Sequence, residues 1–381
     1  VWVSVALDLV GFGIVMPILP LYAQRFHASA WQATALVAAF SAASFVFSPV
    51  WGRLSDRIGR KPVLLISLAG TAAGSVLTGV AGGLVLLFVG RVVDGITGAS
   101  VSVAQASVTD LAPPEQRARL FGYLGAAFGL GFVAGPLLGS LAALAGPRVP
   151  FFVAAGIAVA NALVASRRLP ETRPVGAPTG QGRAPVLRPP GGVLALLAVT
   201  FCALTAFSAF ESTLAIFGGH RLGLTIGSSA ATFAAVGMVI VITQGVLVHP
   251  IVSRLGERRT LAAGLAVDAV GLALLARTGS WVSAAPALLA LTVGQGLVQT
   301  TMSSTLAGRV DPARRGELLG AQQSAGGLAR VAGPVFGGIL LGSGASSRPY
   351  VAGAGLFVVA LILVVRLVDR PAGPLAADEP A

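Results

Sequence analysis

The sequence predicts an all-α membrane protein, with twelve transmembrane helices in two pseudo-symmetric six-helix bundles. Three observations predict it. First, hydrophobic residues make up 55% of the 381 and charged residues only 10%, where a soluble domain is about a quarter charged. Twenty-six bases and fourteen acids cannot clothe a water-facing globule of this length, so most of the surface meets lipid. Second, twelve apolar runs occupy residues 3–22, 32–51, 62–80, 84–107, 119–141, 149–166, 192–217, 228–250, 260–276, 281–306, 318–341 and 350–367. Each approaches the roughly 20 residues that a helix needs to cross about 30 Å of hydrocarbon. Third, the bases concentrate in alternate gaps between those runs.

Taken in order, Arg25 separates spans 1 and 2, and Arg53, Arg57, Arg60 and Lys61 separate spans 2 and 3. The gap between spans 3 and 4 carries no base. Arg117 and Arg119 mark the start of span 5, and Arg148 stands before span 6. Five arginines follow span 6, and Arg221 follows span 7. Arg254, Arg258 and Arg259 precede span 9, and Arg277 precedes span 10. Arg309, Arg314 and Arg315 precede span 11, Arg348 precedes span 12, and Arg366 and Arg370 lie in the tail. Nineteen bases thus fall in the even gaps and tail against five in the odd gaps, which places both termini in the cytoplasm of a cell (inner or plasma) membrane protein. An even number of spans requires the same thing independently. The short alternating segments of a β-barrel are absent from the sequence.

Other classes are excluded on similar grounds. The bases sit between apolar runs rather than in a soluble cluster with aromatic partners, so no nucleic acid is expected as a partner. The single Cys202 forms no internal disulfide, and three His without a paired ligand motif predict no metal site. No basic start with a small-residue cleavage site precedes the first run, so no removable leader is expected. Residues 167–190 hold five Arg and six Pro but no aromatic residue, the composition of a flexible cytoplasmic linker. The expected domains are therefore residues 1–166, the linker 167–190, and residues 191–381 with a short cytoplasmic tail.

The halves echo each other. Pro114, Arg117, Leu120, Gly122, Ala134, Gly135, Pro136 and Gly139 recur 198 residues later as Pro312, Arg315, Leu318, Gly320, Ala332, Gly333, Pro334 and Gly337. Pro49, Arg53 and Leu54 recur 201 residues later as Pro250, Arg254 and Leu255. Parallel six-helix repeats around a central cavity are the plan of secondary transporters, whose substrate site lies where the repeats meet near the bilayer midplane.

Four motifs add a resemblance. They are Gly52-Arg53-Leu54-Ser55-Asp56-Arg57-Ile58-Gly59-Arg60-Lys61 between spans 2 and 3, and Arg91-Val92-Val93-Asp94-Gly95-Ile96-Thr97-Gly98 in span 4. The third is Gly122, Gly131, Gly135, Pro136 and Gly139 in span 5, with Ser140 where the pattern ends in a second Gly. The fourth is Leu169-Pro170-Glu171-Thr172 after span 6. Together they resemble the major facilitator superfamily, and within it the 12-span drug:proton antiporters, over essentially the whole chain. Leu7-Asp8-Leu9-Val10-Gly11-Phe12-Gly13-Ile14-Val15-Met16-Pro17 and Ser67-Leu68-Ala69-Gly70 also look like spans 1 and 3 of tetracycline efflux proteins. Those proteins carry an acid in span 3 where this chain has Gly74, a departure from their pattern, so the resemblance does not by itself assign tetracycline as the substrate. The resemblance further implies a proton-coupling role for Glu211 and matches Asp268 to a family acid.

The residues support specific expectations. A carboxyl group in hydrocarbon costs about 2.5 kcal/mol or more, so an acid there faces a cavity or a partner. Asp8, Asp94, Glu211 and Asp268 fall inside spans, and with Arg91 they are the candidates for proton coupling. Asp94 lies one helical turn after Arg91 and is expected to pair with it. Asp8 and Glu211 occupy the equivalent spans 1 and 7. Gly52, Asp56, Arg57, Gly59, Arg60 and Lys61 are expected to anchor and gate the cytoplasmic face. Gly122, Gly131, Gly135 and Gly139 share a helix face that admits close packing, and Pro136 bends that helix. The Gly129-x-Gly131-x-x-Ala134 string lies within an apolar span with no preceding strand, so it is not a dinucleotide fingerprint. Phe12, Gln105, Phe128, Phe207, Phe210, Gln295 and Gln299 are candidates to line a substrate cavity.

The expected function is proton-coupled export of apolar or cationic small molecules (drug, multidrug or tetracycline-like) by alternating access. The expected partners are the substrate, protons and the lipid bilayer, with the protein a monomer, no cofactor, and the proton gradient as energy source. Uptake of a metabolite by the same fold is the alternative, and a membrane-embedded enzyme or receptor the remote one; no G-x-S-x-G elbow or paired catalytic His supports an enzyme.

Overall fold

A computed structural model describes residues 2–111, 114–171, 191–307, 315–342 and 346–367, with side chains described for these except 108–119, 121–126, 191–192, 307, 315–317, 319 and 367. Every apolar run falls on helix. Span 1 is Trp2–Val15 continued by Leu19–Gln24, with the break where Pro17 and Pro20 remove backbone donors. Span 2 is Ala30–Ile58, span 3 Arg60–Gly79, span 5 Pro114–Ala143 and span 6 Val149–Arg168. Span 7 is Gly191–Leu222, span 9 Glu257–Leu275, span 10 Trp281–Ala307, span 11 Arg315–Leu341 and span 12 Arg348–Leu367.

Spans 4 and 8 are interrupted. Span 4 runs Leu84–Thr97 and then Ser100–Leu111, separated at Gly98, which has φ −66° and ψ 68°. The Ala99 N–H at the break donates to the Thr97 carbonyl at 2.7 Å and to Ser67 Oγ of span 3 at 3.0 Å. The indole N–H of Trp51 donates to the Ile96 carbonyl just before the break. Span 8 runs Ile226–Ile242, then a π-helical turn Thr243–Leu247, then Val248–Leu255.

Among the described residues, ten helices are long and apolar enough to cross a membrane. Span 9 opens on Glu257, Arg258 and Arg259, and span 5 contributes the shorter apolar stretch Ala127–Ala143. Among the described residues there is no strand. Large hydrophobic residues such as Val85, Leu144, Val282 and Ile339 are exposed, which only a lipid surround makes favourable. The chain is a multi-pass membrane protein.

Packing groups the chain into two units. One comprises Val1–Gly182, Ser208–Met238 and Arg330–Pro349, the other Arg183–Phe207, Val239–Ala329 and Tyr350–Ala381. The linker expected over 167–190 lies outside the described residues from 172 onward.

One expectation is corrected. Gly52 to Lys61 were read as an inter-span loop, yet Gly52–Ile58 are the last turns of the span 2 helix and Arg60 opens span 3. Only Gly59 is a turn, with φ +104°. Arg, Leu and Lys are good helix formers, so the helices continue past the hydrocarbon until a glycine in left-handed conformation reverses the chain. The second half repeats the device at Gly256, φ +76°, between spans 8 and 9.

Candidate functional site

The first unit gathers most of the candidate residues around span 1. Asp8 is half-buried, and its Oδ2 accepts from Ser100 Oγ at 2.5 Å. Ser100 is the first residue of the second half of span 4, so the break at Gly98 presents both a hydroxyl and a helix start to this carboxyl, a place where negative charge is favoured. Asp8 Oδ1 has no hydrogen-bond partner among the described residues.

One turn further along span 1, Phe12 packs on Phe40 of span 2 with ring centroids 5.4 Å apart. The guanidinium of Arg91 lies 5.4 Å from the centroid of that Phe40 ring, within cation–π range. Arg91 also pairs with Asp94, as their spacing predicts. Both are buried, and the Thr71 side chain of span 3 lies beside Asp94. Asp94 is in turn close enough to Asp8 for their charges to interact. Spans 1, 2 and 4 thus deliver two acids, one base and two aromatic rings to a single neighbourhood, beside Thr71 of span 3.

The span 5 glycines explain how span 1 is held. A Cβ on Gly131 would lie 2.7 Å from the Leu9 Cβ, and one on Gly139 would lie 3.1 Å from the Ile14 carbonyl oxygen. Gly135 meets Gly13 backbone to backbone. Pro136 lies inside the span 5 helix. Phe128 packs, half-buried, on the Val5, Ala6, Leu9, Ala104 and Ala127 cluster, so it supports spans 1, 4 and 5. Gly122 lies within the helix but outside the residues whose side chains are described. Gln105 is half-buried on span 4.

Glu211 belongs to the same unit, on span 7, and is half-buried. Arg330 of span 11 lies near enough for its charge to act on this carboxyl. Span 11 is brought to span 7 by Gly337, where a Cβ would lie 3.0 Å from Thr213 and 3.1 Å from Ala209. The sequence signal for Arg330 is its position inside the apolar run 318–341, which by itself names no partner. Phe210, expected as a cavity residue, is buried with 1% of its surface exposed, whereas Phe207 of the second unit is half-buried.

In the second unit Asp268 is fully buried on span 9 against Gly294 of span 10. The backbone of Gln295 lies beside it, and neither carboxyl oxygen finds a hydrogen-bond partner among the described residues. Gln295 is buried with its Oε1 unpartnered, and Gln299 is exposed and accepts from Gln244 at 2.7 Å. That Gln244 stands on the π-helical turn of span 8.

Gly74 differs from a mere gap in the acid pattern. A Cβ there would lie 2.7 Å from the Asp94 Cβ and 2.8 Å from the Gly90 carbonyl oxygen. Position 74 has no room for a carboxyl while span 4 stays where it is. At the basic-motif end of the same unit, Arg60 Nη1 meets Asp56 Oδ1 at 2.7 Å and Ser55 Oγ at 2.5 Å. Ser55 Oγ donates to the Gly52 carbonyl at 2.8 Å, so the motif is internally cross-braced. Among the described residues no group of acids, His and Cys could hold a metal ion.

Comparison with known proteins agrees with this architecture. The family model described as Major Facilitator Superfamily matches residues 1–334 and 245–381. The tetracycline resistance protein, class E, of Escherichia coli is 34% identical over 384 residues, covering 95% of this chain and 93% of that protein. Multidrug resistance protein 1 of Bacillus subtilis (strain 168) is 29% identical, covering 87% of this chain and 86% of that one. The crystal structure of the human organic anion transporter MFSD10 (TETRAN) superposes with a TM-score of 0.71 at 25% identity, over 95% of this chain and 97% of that one. Paired six-helix sequence repeats, packed apolar helices and a match across both halves lead to one conclusion: the chain belongs to the Major Facilitator Superfamily.

Proposed function

We propose that the protein exports apolar or cationic small molecules of the tetracycline and multidrug type in exchange for protons. The observation that carries this reading is the Asp8 carboxyl, held by Ser100 on one oxygen and unpartnered on the other, inside a chain 34% identical to a tetracycline resistance protein. A carboxyl with one open oxygen in an apolar unit can take up a proton without dismantling its structural contact. Asp94, by contrast, is committed to Arg91 and serves to hold that base near Asp8. Glu211, with Arg330 near it, is the second coupling candidate, and Asp268 the third. The proton gradient is the energy source, and no cofactor takes part.

In this reading the protein sits in the cell membrane with both termini in the cytoplasm, as its nineteen bases on one side and five on the other favour. The Gly52–Lys61 motif then lies at the cytoplasmic surface, and its Asp56–Arg60 pair belongs to the gate that opens and closes there. Phe12 and Phe40, next to the charged pair, are the aromatic surfaces suited to a planar apolar or cationic substrate. Export is favoured over uptake because the relatives carry names of resistance to tetracycline or to several drugs.

Tetracycline and ethidium uptake into everted vesicles tests the proposal. Uptake is expected to follow an imposed proton gradient and to stop with a protonophore; Asp8→Asn is expected to remove gradient-driven uptake. Gradient-independent uptake, or undiminished proton exchange in both Asp8→Asn and Glu211→Gln, overturns the coupling assignment.

A further inference from the structure

Glu171 reaches the gating motif from 111 residues away in sequence. Its Oε1 accepts the Arg60 backbone N–H at 2.8 Å and its Oε2 accepts the Lys61 N–H at 3.2 Å. These are the first two donors of the span 3 helix, which Gly59 leaves uncapped because it has no side chain. A carboxylate there meets both the orphan donors and the positive end of the helix. Gly59 makes the approach possible twice over. Its φ of +104° is a conformation that other residues resist, and a Cβ on it would lie 2.9 Å from the Glu171 Cδ.

The rest of the contact is equally determined. Leu169, two residues earlier, packs on the Val63, Leu64, Leu68, Ala99, Val103 and Ala165 cluster, so the segment leaving span 6 is fixed by apolar burial before Glu171 is placed. Just beyond the clasped backbone, the Arg60 side chain turns back to Ser55 and Asp56. The guanidinium of Arg60 reaches Asp56 with its own backbone at the first position of span 3. The comparable turn at Gly256 shares the backbone form, φ +76° and ψ 160°, yet nothing among the described residues lies within 4 Å of a Cβ built there. The clasp therefore distinguishes the motif-bearing turn from its repeat.

From this geometry we propose that Glu171 is a positioning residue of the transport cycle. Its carboxylate fixes the Gly59–Lys61 backbone so that Arg60 engages Ser55 and Asp56, and it ties the start of the segment joining the two halves to that gate. The proposal rests on the gating reading of the Gly52–Lys61 motif, and the test separates the two. Initial rates of tetracycline uptake into everted vesicles are measured against concentration for Glu171→Ala, Glu171→Gln, Arg60→Ala and the Glu171→Ala/Arg60→Ala double variant. In parallel, an Ile58→Cys spin label in a Cys202→Ser background reports backbone mobility beside the turn.

The expected result is a fall of about fivefold to tenfold in maximal rate for Glu171→Ala with KM held within twofold. Glu171→Gln, which keeps one acceptor oxygen, lies between it and the unaltered protein. The double variant is no slower than Arg60→Ala, and the label gains mobility in Glu171→Ala. A Glu171→Ala protein with unaltered maximal rate overturns the proposal, as does a double variant whose losses multiply. If both Glu171 variants are missing from the membrane while Arg60→Ala accumulates, the residue serves folding and the proposal fails. An Arg60→Ala protein with full activity instead overturns the gating reading, whatever the label shows.

Discussion

Gly135 of span 5 faces Gly13 of span 1 so closely that a Cβ on Gly135 would lie 2.7 Å from the Gly13 Cα and 2.7 Å from the Val10 carbonyl oxygen. The two backbones touch across the helix pair that carries Asp8. Adding one methyl group must separate those helices or bend one of them. Overpacking of this kind costs about 1–3 kcal/mol. Gly135→Ala is therefore expected to lower the thermal midpoint of the purified protein and to slow transport, because Asp8 shifts with span 1. Gly156→Ala in span 6 is the control, since nothing lies within 4 Å of its Cβ position, and it should leave the midpoint unchanged.

The Arg91–Asp94 pair is buried on both sides. Removing one partner strands a charge, at a cost of about 3–5 kcal/mol. Asp94→Asn alone is expected to reduce the amount of folded protein in the membrane, with Arg91→Gln behaving similarly. The double variant is expected to recover much of that loss, since it strands neither charge. Folded protein by size-exclusion chromatography of detergent extracts is the measurement; a double variant as poorly folded as Asp94→Asn would refute the pairing argument.

Ser100→Ala separates the structural contact of Asp8 from its proton chemistry. The substitution removes the 2.5 Å hydrogen bond and leaves the carboxyl. Gradient-driven uptake is expected to persist at a reduced rate, with coupling to protons retained, whereas Asp8→Asn keeps a polar group near Ser100 and loses coupling. Proton release measured with a pH-sensitive dye on addition of substrate distinguishes the two.

Gly74→Asp would install the acid that tetracycline efflux proteins carry in span 3. The Cβ alone would lie 2.7 Å from the Asp94 Cβ, so span 4 has to move or the protein fails to accumulate. Gly74→Ala is expected to be destabilised by about 1–3 kcal/mol and Gly74→Asp by more. Membrane levels by immunoblot rank the three proteins, and a Gly74→Asp protein as abundant as the parent refutes the close packing of spans 3 and 4.

The places where sequence reading stopped have a common cause. Arg91 and Asp94 were paired correctly because their partner lies three residues away on the same helix, where spacing fixes geometry. Ser100 of span 4 holds Asp8 of span 1, a partnership that no sequence spacing announces, because the two are separated by 92 residues and nothing local relates them. The sequence shows Glu171 only as part of the Leu169–Thr172 motif, since its clasp on Arg60 and Lys61 involves backbone donors that no side-chain pattern announces. Arg330 acts on Glu211 across 119 residues of sequence, and no local spacing relates them.

By itself the sequence determined the helical class, the positions of the spans, the duplication of the halves and the family motifs. Each of these is written in local chemistry: about 20 apolar residues make a span wherever they occur, and a glycine or proline acts on its own turn. The tertiary structure alone decided which oxygen of Asp8 is held, why position 74 must be glycine, what lies near Glu211 and what fills the turn at Gly59. A span that is apolar nearly all round carries little periodic signal of which face turns inward, so rotation and depth are set by packing against other helices. Partners 92 or 111 residues apart meet only after that packing is complete.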